Sequence, residues 1–314
     1  MPRFMSRCRF YARAWGFISA ICGARALLVL SALLAVTPPA GAQAIYPTPD
    51  AAANAFVNAL AASDEDSMKH VLGPNYRQLI PAQDVGQDDI YDFLGAWAHG
   101  HNIVLEEGPQ KGRQTARVEV GNSAWTLPIP LVQTSRGWHF DTAAATDELL
   151  TRQLGRNERA AMMSSLAYLD AQSDYHALTG HYAQRLVSTP GQRDGLYWPV
   201  PPGEAASPLG PLAAAMPENA TFSRDGYHGY RYRILTAQGM QAKEGPRNYL
   251  INGEMTKGCA LIAWPVRYGT TGVMSFIVNQ DGQLYQRNLG PQTARIAGTL
   301  RSFDPGPSWA PVKP

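Results

Sequence analysis

Polar and apolar residues alternate near the C-terminal end of the chain in the way expected of an antiparallel sheet. Residues 273–279 carry Val, Ser, Ile and Asn at odd positions and Met, Phe and Val at even positions, which predicts a strand covered on at least one face. The following Asn279-Gln280-Asp281-Gly282 supplies the Asp-Gly pair that a tight hairpin turn needs. Residues 249–290 therefore predict three or four consecutive strands.

The N-terminal half begins with helical spacing and continues with strand patterns. Apolar residues recur at helical intervals in residues 49–62, 64–72 and 88–97. Short β-type runs follow at residues 103–105, 116–120, 125–132 and 138–140. Helices followed by a curving antiparallel sheet resemble the NTF2-like cone fold. The resemblance implies an α+β domain over residues 46–142.

A second α+β domain is predicted from residue 157 to residue 314, joined to the first by a bridge over residues 143–156. Asn157 is the predicted N-cap of a helix whose core-facing stripe includes Met162, Leu166 and Leu169. Gly180 is expected to end that helix. The C-terminal domain is then a helix packed on the antiparallel sheet described above.

The first 42 residues have the pattern of a Sec-type signal peptide. A basic stretch free of acids contains Arg3, Arg7, Arg9 and Arg13. The apolar run Ala26–Val36 has eleven residues, which is too short for a stable membrane anchor. An uncleaved anchor over residues 16–36 is the alternative, but Arg25 interrupts that segment.

Two cleavage sites fit the small residues that follow, Ala40-Gly41-Ala42 and Ala42-Gln43-Ala44. Either one predicts a bacterial protein that is periplasmic or secreted, with no membrane span after signal cleavage. Which site is used stays open.

Loss of the signal peptide changes the charge balance. The full chain has 27 Lys and Arg against 25 Asp and Glu, and the leader holds five arginines, so 22 basic residues remain and the net charge becomes −3. Without a basic surplus, nucleic-acid binding has no electrostatic support. Because Cys8 and Cys22 also lie in the leader, Cys259 is left without a partner for an internal disulfide.

No catalytic motif, cofactor site or metal site is predicted. The pair in His99-Gly100-His101 has no further ligands nearby and is interpreted as a solvent-exposed helix-to-strand turn. Cys259 precedes the apolar run 260–264, which favours a small buried side chain over a nucleophile. Asp281-Gly282 lacks the further acids of a calcium loop.

Aromatic and histidine side chains of the first domain form a candidate ligand pocket. Its members are Tyr76, Tyr91, Trp97, His99, His101, Trp125 and Trp138. Cone-like folds commonly hold an apolar pocket at the open end of the sheet, so the NTF2-like resemblance implies a cavity there. Ordinary core packing of the aromatic residues is the alternative.

Ordered motifs along the chain carry a family resemblance. They are Gly155-Arg156-Asn157-Glu158, residues 166–172, Ser207-Pro208-Leu209-Gly210-Pro211, residues 229–235, residues 268–274, Phe276-Ile277-Val278-Asn279 and Leu289-Gly290. Together they resemble the bacterial family of exported proteins named domain of unknown function 2950. That family implies no established activity, and Cys259 stands where its pattern would place an aromatic residue.

A second resemblance concerns the C-terminal half. A helix with Tyr168, Tyr175 and Tyr182, then the strand at residues 230–234 and the segment 260–285, resembles the globular head of type IV pilins and pseudopilins. The chain lacks the long hydrophobic helix that is continuous with the head in those proteins. The resemblance therefore implies a soluble pilin-like module.

These observations predict a non-enzymatic binding or interaction module of the cell envelope. Its partner would be an envelope protein or a small apolar ligand. One alternative is a hydrolase- or isomerase-like enzyme with a pocket in the N-terminal domain, which would need His99 or His139 beside Asp92 or Glu107. Another is a soluble scaffold that interacts with pilus or secretion components.

Overall fold

The computed structural model describes residues 43–82, 85–108, 112–211, 213, 216 and 224–314. It combines helices with antiparallel sheets, which confirms the predicted α+β class. The predicted signal peptide, residues 1–42, lies outside the described residues. In the part of the chain that is described, no helix is long and apolar enough to cross a membrane.

The first half places three helices before a sheet, in the predicted order. The helices are α1 (Pro49–Ala61), α2 (Glu65–Leu72) and α3 (Gln87–His99). The strands are β1 (His101–Glu107), β2 (Gln114–Val120), β3 (Trp125–Thr126), β4 (Leu131–Thr134) and β5 (Gly137–Phe140). The sheet has the antiparallel order β1-β2-β4-β5, and β3 pairs with β2.

One predicted strand, residues 125–132, is divided in the structure into β3 and the start of β4. Pro128 and Pro130 lie between the two pieces. Since proline has no backbone N–H to donate to a sheet, these two residues interrupt the pairing.

Helix α4 (Thr142–Thr179) is a single helix of 38 residues. Its N-cap is Asp141, which accepts a hydrogen bond from the backbone N of Ala144 at 2.9 Å. The predicted N-cap at Asn157 is therefore wrong, because that residue lies inside the helix and its amide donates to the backbone of Thr271. The predicted end is confirmed: Gly180 follows the last turn with φ 81°.

The buried face of α4 is also shifted from the predicted stripe. Met162, Leu166 and Leu169 are only partly buried, and the fully buried side chains include Ala161, Ser165, Tyr168, Ala171, Gln172 and Tyr175. Polar side chains can be buried on this face because they form hydrogen bonds there. The amide of Gln172, for example, exchanges two hydrogen bonds of 2.8 Å with the backbone of Ala183.

The second half is built on a five-stranded antiparallel sheet. In chain order its strands are β6 (Tyr230–Leu235), β11 (Ala260–Pro265), β12 (Met274–Asn279), β13 (Leu284–Asn288) and β15 (Ala310–Val312). The spatial order is β15-β13-β12-β11-β6. Every residue of β11 is buried, so this central strand is covered on both faces.

Shorter elements complete this half. They are β7 (Ala237–Gln238), β8 (Arg247–Asn248), β9 (Leu250–Ile251), β10 (Glu254–Met255), α5 (Thr293–Thr299) and β14 (Ser302–Phe303). The predicted turn between β12 and β13 is confirmed, since the N–H of Gly282 donates to the carbonyl of Asn279 at 3.0 Å. Trp309 is buried in the core of this half.

Buried apolar side chains form two clusters. One comes from α1, α2, the first sheet and the start of α4, with partly buried side chains of α3 packed against it, and the other comes from the rest of α4 and the second sheet. The domain boundaries at 46–142, 143–156 and 157–314 remain a prediction.

Candidate functional site

An open groove of about 610 Å³ lies between α3 and the turn that joins β2 to β3. Its lining residues are Asp89, Phe93, Ala96, His99, Val120, Gly121, Asn122, Ser123 and Trp125. One wall is the face of α3 on which Asp89, Phe93, Ala96 and His99 recur at steps of three and four residues. The other wall is the turn. The groove is mainly apolar and has a polar edge.

Small residues bring the two walls together at one end. The N–H of Gly121 donates to the carbonyl of Gly100 at 2.8 Å, and a Cβ atom added at Gly121 would lie 3.4 Å from the Cβ of Ala96. Gly121 has φ 71°, a conformation that a residue with a side chain rarely adopts. Helix α3 therefore seats against the end of β2 without a side chain between them.

Trp125 is held in the groove by a series of aromatic contacts. Its ring meets Phe93 at 6.1 Å and 70°, Phe93 meets Phe56 at 6.0 Å and 80°, and Phe56 meets Phe140 at 5.7 Å. Edge-to-face and tilted contacts at such distances are favourable. The series links the groove to the buried core, while 43% of the Trp125 surface stays exposed.

Arg152 of α4 fixes the strand that carries this tryptophan. Its Nη1 and Nη2 donate to the backbone oxygen and the hydroxyl of Thr126, each at 2.7 Å, and its Nε donates to Glu148 at 2.8 Å. The guanidinium carbon lies 5.9 Å from the centre of the Trp125 ring. Trp125 is therefore supported by α4 as well as by α3.

The polar edge of the groove consists of Asp89, His99, Asn122 and Ser123. Asp89 also accepts a hydrogen bond from the backbone N of Gly86 at 2.8 Å through its Oδ2 atom. This contact satisfies one of the free N–H groups at the start of α3.

Two of the seven predicted pocket residues, His99 and Trp125, line the groove. Two more are next to it: Trp97 stacks on His101 with ring centroids 3.6 Å apart and planes at 8°, and Trp97 also contacts the ring of Phe93.

The other three lie elsewhere. Tyr76 lines a separate cavity of about 350 Å³ beside α2, Tyr91 is 62% exposed, and Trp138 is buried in the first core. Asp89, Gly121 and the Asn122-Ser123 turn are members of the site that were not predicted from the sequence. Phe93 belongs to the apolar pattern that predicted α3, but that pattern does not show its contact with Trp125.

The groups named for the enzyme alternative do not meet in the groove. His99 lines it, whereas Asp92 and Glu107 are exposed and absent from its lining. His139 lies on β5 and has a buried Nδ1 without a hydrogen-bond partner among the described residues. No group of three or more His, Cys, Asp or Glu side chains within the described ranges is placed to hold a metal ion.

Cys259 is buried, which confirms its interpretation as a small core residue. Burial raises the pKa of its thiol to about 12. It lines a small cavity of about 180 Å³ with His176 and Tyr182. A thiol held protonated in this way is a poor nucleophile.

Three of the motifs that carried the family resemblance, residues 155–158, 229–235 and 268–274, meet at one place in the second half. The amide of Asn157 donates to the backbone oxygen of Thr271 at 2.9 Å, and Glu158 Oε1 accepts from the backbone N of Val273 and Met274 at 2.8 and 3.0 Å. The hydroxyl of Tyr230 donates to the backbone oxygen of Met274 at 2.8 Å. We call this set the motif cluster.

Glycines allow this close approach. A Cβ atom added at Gly272 would lie 2.2 Å from the Tyr230 hydroxyl, and one added at Gly229 would lie 2.9 Å from the amide nitrogen of Asn157. The motif cluster holds the connection between β11 and β12 against α4. The hydrogen bonds between these motif residues therefore give the cluster a structural role.

Residues 43–312 match the family model described as Protein of unknown function (DUF2950). The match spans most of the chain, so the chain belongs to this family, and the predicted family is confirmed. No curated protein and no solved structure matches the chain significantly.

Proposed function

We propose that this protein is a non-enzymatic binding protein of the bacterial cell envelope. Its ligand is a small molecule with a flat apolar part, bound in the groove against Trp125. The observation that carries the proposal is the partly exposed Trp125 in a largely apolar groove of about 610 Å³. Ligand pockets typically have volumes of about 300–1,000 Å³ and apolar walls with a few polar groups.

Binding is favoured over catalysis by the polar groups of the groove. The carboxylates named as partners of His99, Asp92 and Glu107, are absent from the lining, and Asp89 uses one oxygen, Oδ2, to cap α3. The interpretation of the first half as an NTF2-like cone supports a ligand cavity at this end of the sheet. The pilin-head interpretation of the second half supports an interaction module, and a pilus or secretion component would be its partner.

Binding can be tested by calorimetric titration of the full-length chain with 1-naphthalenemethanol, a neutral flat probe. Trp125→Ala should weaken the affinity roughly tenfold, because the bound probe loses the apolar area and the aromatic contact that the indole ring provides. Tyr91→Ala is the matched control, since it removes an exposed aromatic residue of α3 that does not line the groove. Equal binding by the Trp125 variant, or no binding by the wild type, would contradict the proposal.

Export can be tested by fractionating cells and sequencing the mature N-terminus. The side-chain amide of Gln43 donates to the backbone oxygens of Val71 and Phe140 at 3.1 and 2.8 Å. Cleavage after Ala42 keeps these bonds and cleavage after Ala44 removes them, so we expect Gln43 as the first residue of an exported protein. A cytoplasmic protein that retains Met1 would refute the envelope proposal.

A further inference from the structure

The charge in the lining of the groove is negative. Of its lining residues in the described part of the chain, Asp89 is the only Asp, Glu, Lys or Arg. Asp88 and Asp92 are exposed on the same helix and add to the negative charge at this end of α3. Asp88 and Asp89 lie in the first turn of α3, where the positive end of the helix dipole offsets part of this charge, and Asp92 lies beyond that turn.

The Arg152 guanidinium, whose carbon lies 5.9 Å from the centre of the Trp125 ring, is already engaged. Each of the three nitrogens of the Arg152 guanidinium donates to Thr126 or Glu148. Its charge is balanced by Glu148, the same carboxylate that lies 3.7 Å from Arg117. Arg152 therefore stabilises the wall of the groove and is not placed to bind an anionic ligand.

Asp89 and Trp125 flank the same side chain. Asp89 precedes Phe93 by four residues, so both lie on one face of α3, and Phe93 contacts the Trp125 ring. The capping bond uses Oδ2 of Asp89, and Oδ1 accepts no hydrogen bond from the described residues. An exposed indole and a carboxylate are the two groups that attract a cation attached to an apolar body.

We propose that the groove selects ligands whose flat apolar part carries a positive charge, such as an aromatic or alkyl ammonium. This inference rests on the proposed binding function and specifies the class of its ligand. The indole of Trp125 contacts the apolar part and the adjacent charge, and Asp89 pairs with the ammonium group. Because the groove is open to solvent, salt should weaken this preference.

The test compares three probes of similar size on the full-length chain: 1-naphthylmethylamine, 1-naphthalenemethanol and 1-naphthoate. At low ionic strength we expect the cation to bind about fivefold more tightly than the neutral probe, and the anion to bind more weakly than both. Raising the salt concentration should reduce the difference between the cation and the neutral probe.

Asp89→Asn removes the charge and keeps the helix cap, because the asparagine oxygen can still accept a hydrogen bond from the Gly86 N–H. This variant should lose the preference, so that it binds the cation and the neutral probe with similar affinity. Asp92→Asn is the control, since it removes an exposed acid of α3 that does not line the groove.

The outcomes distinguish the two proposals. If none of the three probes binds, the proposed function fails and this inference fails with it. If the neutral probe binds and the cation binds no better, the function stands and the ligand class is wrong. If the Asp89 variant keeps the full preference for the cation, the role of Asp89 is refuted.

Discussion

Glu158 should contribute more to stability than the exposed carboxylates of α4. Its Oε1 atom accepts hydrogen bonds from the backbone N of Val273 and Met274 at 2.8 and 3.0 Å. Hydrogen bonds to a charged group stabilise a protein by about 1.5–3 kcal/mol each. Since Glu158 is half-buried and water can replace part of the loss, we expect Glu158→Ala to reduce the free energy of unfolding by about 2–4 kcal/mol.

The assay is urea denaturation followed by tryptophan fluorescence and circular dichroism, which tests for a two-state transition at the same time. Glu158→Gln keeps an acceptor oxygen and should lose only about 1 kcal/mol. Asp170→Ala is the control on the same helix, because Asp170 is exposed, and its effect should stay within about 0.5 kcal/mol. If Glu158→Ala behaves like the Asp170 variant, the motif cluster does not hold the sheet to the helix.

Three further results are expected. In urea denaturation, Gly272→Ala should reduce the free energy of unfolding by roughly 1–3 kcal/mol, because its Cβ would lie 2.2 Å from the Tyr230 hydroxyl. Gly155→Ala should increase it by about 0.5–1 kcal/mol, because Gly155 lies inside α4 with open space around it. Cys259 should resist alkylation at pH 8 in the folded protein and react after unfolding, as mass spectrometry would show. Burial raises the pKa of both Cys259 and Tyr249 to about 12, from 9.0 and 10.0, so the folded protein holds protons that the unfolded chain has lost. Denaturation across a pH series should therefore show stability falling between about pH 9 and 12, and a constant stability there would contradict the burial of these groups.

Local chemistry explains which parts of the fold could be predicted. The turn at residues 279–282 was predictable because an Asp-Gly pair between two apolar runs fixes its own geometry. The end of α4 at Gly180 was predictable for the same reason. Pro128 and Pro130 are the local signals from which the break in the predicted strand at residues 125–132 could have been recognised.

Tertiary contacts explain what could not be predicted. Asn157 has a side chain typical of an N-cap, but its amide donates a hydrogen bond to the backbone oxygen of Thr271, more than one hundred positions further along the chain. The buried face of α4 includes Gln172, which a pattern of apolar residues cannot identify as a core position. In both cases a distant backbone group satisfies a polar side chain.

The groove was predictable only in part. His99 and Trp125 were candidates because aromatic and histidine residues are typical of binding sites. The contact between Ala96 and Gly121 that shapes the groove joins two elements whose packing no local pattern shows. The aromatic composition of the first half therefore indicated a pocket, while its position depends on how α3 seats against β2.

The most direct test of the binding site is NMR of the tryptophan indole N–H groups during titration with 1-naphthylmethylamine. The Trp125→Phe variant assigns the Trp125 signal by its disappearance. This signal should shift most, because Trp125 is in the groove, while the signals of the buried Trp264 and Trp309 stay in place. A titration in which the Trp264 or Trp309 signal moves and the Trp125 signal does not would place the ligand elsewhere and contradict the central claim.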